Sequence, residues 1–124
     1  MEIEVSIGEI VDKLSILDLK KHNITDEDKL VNIKKEYLYL HEIVFAKLNV
    51  NHDEDYLKLL DVNRKLWDIE DVIREKENLK EFDDDFIELA RSVYITNDLR
   101  SKIKKEINLK YGSEFVEEKS YKEY

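Results

Sequence analysis

Cysteine and proline are absent from this chain of 124 residues, and glycine occurs only twice. Without cysteine there is no disulfide framework and no thiolate metal ligand, a composition that fits a reducing compartment. Without proline and with two glycines, the tight turns of hairpin-rich β folds lack the residues that make them. Nor can two glycines build a phosphate-cradling loop. No apolar run approaches the roughly eighteen residues of a membrane span. Met1–Ile10 lacks the basic and apolar segments of a secretory leader. The expectation is a cytoplasmic protein without membrane association.

Charged residues make up 41% of the chain and hydrophobic ones 42%. The net charge of −9 is spread evenly, −3 over residues 1–50, −4 over 51–79 and −2 over 80–124. Such a surface repels phosphate backbones, so no nucleic-acid partner is expected. The length suits one domain, able to bury about 65% of its unfolded-chain surface.

The apolar residues recur at helical spacing in four segments. Ser6 and Glu9 form a capping box, with Val5 able to staple onto Ile10, ahead of the stripe Ile7, Ile10, Val11, Leu14, Leu17. Asn23 closes this helix. Thr25, with Asp28 three residues on, opens the second, whose seam is Leu30, Ile33, Tyr37, Leu40, Val44. Asn51 and Glu54 open the third, with Leu59, Val62, Leu66, Ile69, Ile73 as its seam. Asp83–Asp85 suit the start of the fourth, and Gly112 suits its end. The upstream alternation Glu2-Ile3-Glu4-Val5 is too short for a strand without a partner. Helices near 6–22, 26–48, 52–79 and 84–111 follow, the last three about 35–40 Å long. Short connections make sequence neighbours antiparallel, giving an all-α up-down-up-down bundle or a long hairpin with helix 1 docked. One domain over 1–112 is expected, followed by a polar acidic tail, 113–124, poorly ordered unless it packs back.

The last seam is interrupted. At 100° per residue with Val93 at the centre, Asn97, Arg100 and Lys104 fall within about 40° of the middle of the apolar face. Asn63, Trp67, Glu70 and Arg74 line a matching strip on the third helix. In an antiparallel hairpin turning near residue 81, positions summing to about 162 lie level. That places Asn63 beside Leu99 and Arg100, and Glu70 near Ser92, within reach of Arg91 or Tyr94. Glu9, Asp12 and Lys13 of the first helix belong at the end that holds Arg100 and Lys104. Buried cations must be paired, hydrated or holding an anion. The seam is therefore either a polar network that fixes helix register or a ligand site built from Asn63, Trp67, Glu70, Arg74, Arg91, Asn97, Arg100 and Lys104.

Other chemistries find little support. His22, His41 and His52 are not in the Glu-x-x-His spacing of metal-binding bundles. Asp68-x-x-Asp71 and Asp85-x-x-Glu88 resemble Mg²⁺-binding acid pairs, but Asp68 and Asp71 point away from the core strip. Asp83-Asp84-Asp85 lacks the spaced ligands and glycine of a calcium loop. No cysteine nucleophile exists, and no serine has a nearby histidine in sequence. No metal, cofactor or catalytic residue is expected.

Several strings together are similar to a family of small, functionally uncharacterised helical proteins of bacteria and phages. They are Val5-Ser6-Ile7-Gly8-Glu9-Ile10 with Asp12-Lys13-Leu14, Asn63 with Leu66-Trp67-Asp68-Ile69-Glu70-Asp71, Ala90-Arg91-Ser92-Val93-Tyr94 with Asn97-Asp98, and Glu117-Glu118-Lys119-Ser120-Tyr121. The resemblance spans nearly the whole chain and implies a single helical domain, with no activity to carry over. A loose association of such proteins with surface-polysaccharide glycosyltransferases implies a carbohydrate or nucleotide-sugar setting. Together the residues point to a non-catalytic interaction module, a homodimer or another protein's partner. The alternative is a protein that binds a small anionic ligand, nucleotide-sugar or phosphate-bearing, or an enzyme acting on one, in a polar pocket between helices 1, 3 and 4. There Glu70 is the only credible general base.

Overall fold

The computed structural model describes residues 1–124 and is all-helical. Its helices are α1 (Ile7–Asn23), α2 (Glu27–Glu42), α3 (Leu57–Leu79) and α4 (Asp84–Lys110). Between α2 and α3 lie two π-helical turns, Ile43–Lys47 and His52–Tyr56, separated by a short non-helical corner with Asn49 at φ 53°. The four spans read from the periodicity are thus present, with five residues wound wider at each side of the α2–α3 corner.

Local chemistry sets the ends. The Ser6 Oγ accepts from the Glu9 amide (3.3 Å) at the start of α1. A full capping box would turn the Glu9 carboxylate back to the Ser6 amide, but it reaches across to Lys104 instead (2.7 Å). At α2 the cap is Asp26, accepting from the Lys29 amide (3.1 Å), one residue after the expected Thr25. Asn51 accepts from the amides of Asp53 and Glu54, and Asp83 from that of Phe86. Gly112, at φ 66°, ends α4, and the Ser113 amide returns to the Asn108 carbonyl (2.8 Å) in a Schellman turn.

Helix α1 lies at the centre, packed against α2, α3 and α4, while α2 packs on α1 and its own π-turn. The core is Val11 and Leu14 of α1, Val44, Val50 and Tyr56 of the corner, Leu59 and Val62 of α3, and Ile103 and Ile107 of α4. α3 and α4 form the hairpin, and only its inner half meets α1. From Arg64 to Lys102 no residue is buried. The C-terminal residues from Glu114 run extended and return along α4, where Glu117 meets Lys104 (3.2 Å) and Glu118 meets Lys105 (3.1 Å).

Candidate functional site: the polar seam and the clefts beside it

Asp12 sits on the apolar stripe of α1, between Val11 and Leu14, and is 1% exposed. A carboxylate there must be paired. Arg100 donates to it through Nε (3.0 Å) and Nη2, and Asn63 Nδ2 donates to the same carboxylate (2.8 Å). Asn63 Nδ2 also reaches Ser15 Oγ (2.8 Å), and that hydroxyl donates to the Asp12 carbonyl (2.7 Å). Lys104 lies 4.0 Å from Asp12 and bonds Glu9 and Glu117. The Asp12 carboxylate holds the Arg100 guanidinium above its ordinary range, against the burial that opposes it. No buried side-chain nitrogen or oxygen lacks a partner.

One turn towards the N-terminus, α1 and α4 come closer still. The Gly8 amide donates to Asn108 Oδ1 (2.6 Å), and a Cβ at Gly8 would lie 2.5 Å from the Lys104 carbonyl oxygen. Glycine is required here by this backbone approach.

The structure divides the sequence-derived residues into three groups. Asn63, Arg100 and Lys104 belong to the seam around Asp12. Trp67, Glu70 and Arg74, with Asn63 and Arg100 at their inner end, line an open groove of about 410 Å³ between α1, α3 and α4. Arg91 and Asn97 stand apart. Arg91 is exposed and bonds Glu88 (2.8 Å), while Asn97 opens onto a second cleft under the C-terminal segment. Glu70 lies out of Arg91's ion-pair network and pairs with Arg74 (3.1 Å), because the i,i+4 neighbour on its own helix is nearer than the facing one.

Chemically the seam is neutralised from within, by Asp12, Glu9 and Glu117 against Arg100, Lys104 and Lys119. With Arg100 committed to Asp12, the groove beside the seam carries Glu70 and Asp71 against Arg74, so it offers an anion no net positive charge. No three histidine, aspartate or glutamate side chains converge as a metal ion would require.

Asp12 was placed at the Arg100 end but not in the candidate site, and Ser15, Gly8 and Asn108 were not among the candidate residues. The available signals were Asp12's place within a core stripe and a glycine inside a helix, where it costs about 1 kcal/mol. A second buried acid, Asp55, accepts from Lys110 (3.0 Å) and from the Tyr111 hydroxyl, which itself accepts from the Asn51 amide (2.8 Å). Asp18 accepts from the buried Tyr56 hydroxyl (2.6 Å). Both pairs tie the corner to the helices it joins, and neither had a sequence signature.

No curated protein and no solved structure matches the chain. A family model does match, over residues 1–124. The chain belongs to a family of unknown function (DUF6165).

Proposed function

We propose that the protein is a non-catalytic helical module that associates with a second copy of itself through the exposed face of the α3–α4 hairpin. The observation that carries this reading is the run from Arg64 to Lys102, which buries no residue although α3 and α4 pack along each other and Arg100 reaches α1. An isolated helix pair of this kind leaves its apolar stripes half covered. On α3, Val72 and Leu79 lie about 160–180° round the helix from Asn63, which faces α1. On α4, Ile95 and Leu99 lie about 100–140° from Arg100. All four are 42–58% exposed.

The surface area supports the same reading. A compact monomer of 14.9 kDa exposes about 7,000 Å². This chain exposes 8883 Å². The extended ends contribute to the excess of about 1,900 Å², a size in the range that each partner of an obligate dimer covers. Two hairpins meeting along these stripes would complete a four-helix bundle.

A cytoplasmic setting and the lack of nucleic-acid partners belong to this proposal, on the absence of cysteine and the net charge of −9. Separately, no helix is long and apolar enough to cross a membrane. The experiment is thermal unfolding over a hundredfold range of protein concentration. Self-association requires the melting temperature to rise with concentration, and a constant value would refute it.

A further inference from the structure

A second cleft, of about 540 Å³, lies between α4 and the returning C-terminal segment, within the size range of small-molecule sites. The segment crosses it as a strap fastened at both ends. At one end Glu117 and Glu118 pair with Lys104 and Lys105. At the other, Tyr124 packs edge-on to Tyr94 at 5.0 Å. Contact with the Asp98 carboxylate, then burial, holds the Tyr124 phenol above its ordinary range. Beyond the Ser113 amide the strap makes no backbone hydrogen bond to the rest of the chain, so side chains alone fix its path.

What lies between those fastenings is chemically uniform. Tyr94, Tyr121 and Tyr124 supply flat aromatic walls, and Arg100, Lys119 and Lys122 supply cations. Asp98 is the one acid in the lining. Lys119 pairs with Glu117 (2.5 Å) and Arg100 gives Nε and Nη2 to Asp12, but Lys122 has no carboxylate partner and Arg100 Nη1 makes no hydrogen bond within the chain. The setting is unlike the rest of the molecule. Residues 100–122 hold seven basic and four acidic side chains, in a chain whose net charge is −9. Asn97 and Ser101, one turn apart on the floor, add neutral groups that can orient a bound polar atom.

We propose that this cleft binds a small phosphate monoester carried on a flat ring, the phosphate held by Arg100, Lys119 and Lys122 and the ring against the tyrosines. A guanidinium already oriented by Asp12 meets phosphate oxygens without further ordering, and tyrosine faces accept planar rings. The site lies on the flank of α4 opposite Ile95 and Leu99, so it is independent of the self-association proposed above.

The test is a titration of the full ¹⁵N-labelled chain with phenyl phosphate, and in separate arms with inorganic phosphate and with phenol. Saturable amide shifts are expected at residues 93–101 and 119–124, with phenyl phosphate binding at least tenfold more tightly than either fragment. Lys122→Glu and Tyr121→Ala lie on the exposed strap, outside the core, and each should weaken binding tenfold or more. Four results would overturn the proposal: no saturation by about 10 mM, near the weakest binding worth a site; shifts confined to the groove around Trp67; inorganic phosphate binding as well as the ester; or both variants binding like the parent.

Discussion

At the scale of single residues, the Asp12–Arg100 ion pair is asymmetric. Asp12 is sealed in the core, whereas the Arg100 side chain is 28% exposed. Removing the cation strands a buried carboxylate, while removing the acid leaves a guanidinium that can turn to water. Arg100→Met should therefore cost about 3 kcal/mol in urea unfolding, and Asp12→Asn clearly less. Gly8 gives a second expected sign. Alanine normally gains about 1 kcal/mol over glycine inside a helix. Here its Cβ would meet the Lys104 carbonyl, a backbone atom that cannot step aside, so Gly8→Ala should lose about 1–3 kcal/mol. Titration adds a third. Hydrogen bonds from Lys119 and then Lys104 hold the Glu117 carboxyl below its ordinary range, so its contribution is present above the unfolded value of 4.5 and fades as pH falls through the lower folded value. Burial, and then the bond to Asp18, raises the Tyr56 phenol above 10.0, so that contribution is complete below pH 10 and is lost on the alkaline side. Stability measured against pH should flatten at the acid end in Glu117→Gln and at the alkaline end in Tyr56→Phe.

At the scale of elements, helix ends are where the sequence speaks most plainly. Ser6, Asn51, Asp83 and Gly112 cap or close their helices as their side chains and φ preferences demand. Asp26 displaced Thr25 because both are good caps one residue apart, and the choice depends on the register in which α2 meets α1. The π-turns have no local signature. They adjust the corner so that Val44 and Tyr56 enter the core, which only the assembled fold requires. One element carries removable strain. Lys80 ends α3 at φ 57°, and its amide and that of Glu81 close the turn onto Glu77 and Lys76. A non-glycine residue in this left-handed conformation costs about 1 kcal/mol, so Lys80→Gly should raise the unfolding free energy by roughly that amount.

At the scale of the whole molecule, the antiparallel hairpin and its level were legible, since Asn63 and Arg100 do share one partner. Which partner was not. Periodicity places polar residues on a face, but helix rotation decides whether Arg100 turns to Glu70, to a ligand or to Asp12 of another helix. The tail's return along α4 was likewise beyond reach, because ion pairs between positions thirteen residues apart, Lys104 with Glu117 and Lys105 with Glu118, follow from a turn at Gly112 that periodicity does not describe. The unburied outer hairpin could be anticipated from long seams facing a short first helix, and self-association is the reading that covers it. Sedimentation equilibrium of the parent chain and of the Ile95→Lys/Leu99→Lys double variant tests that most directly. A dimer is expected for the parent and a folded monomer of 14.9 kDa for the variant. A monomeric parent across the accessible concentrations, or a variant that dimerises as strongly as the parent, would contradict it.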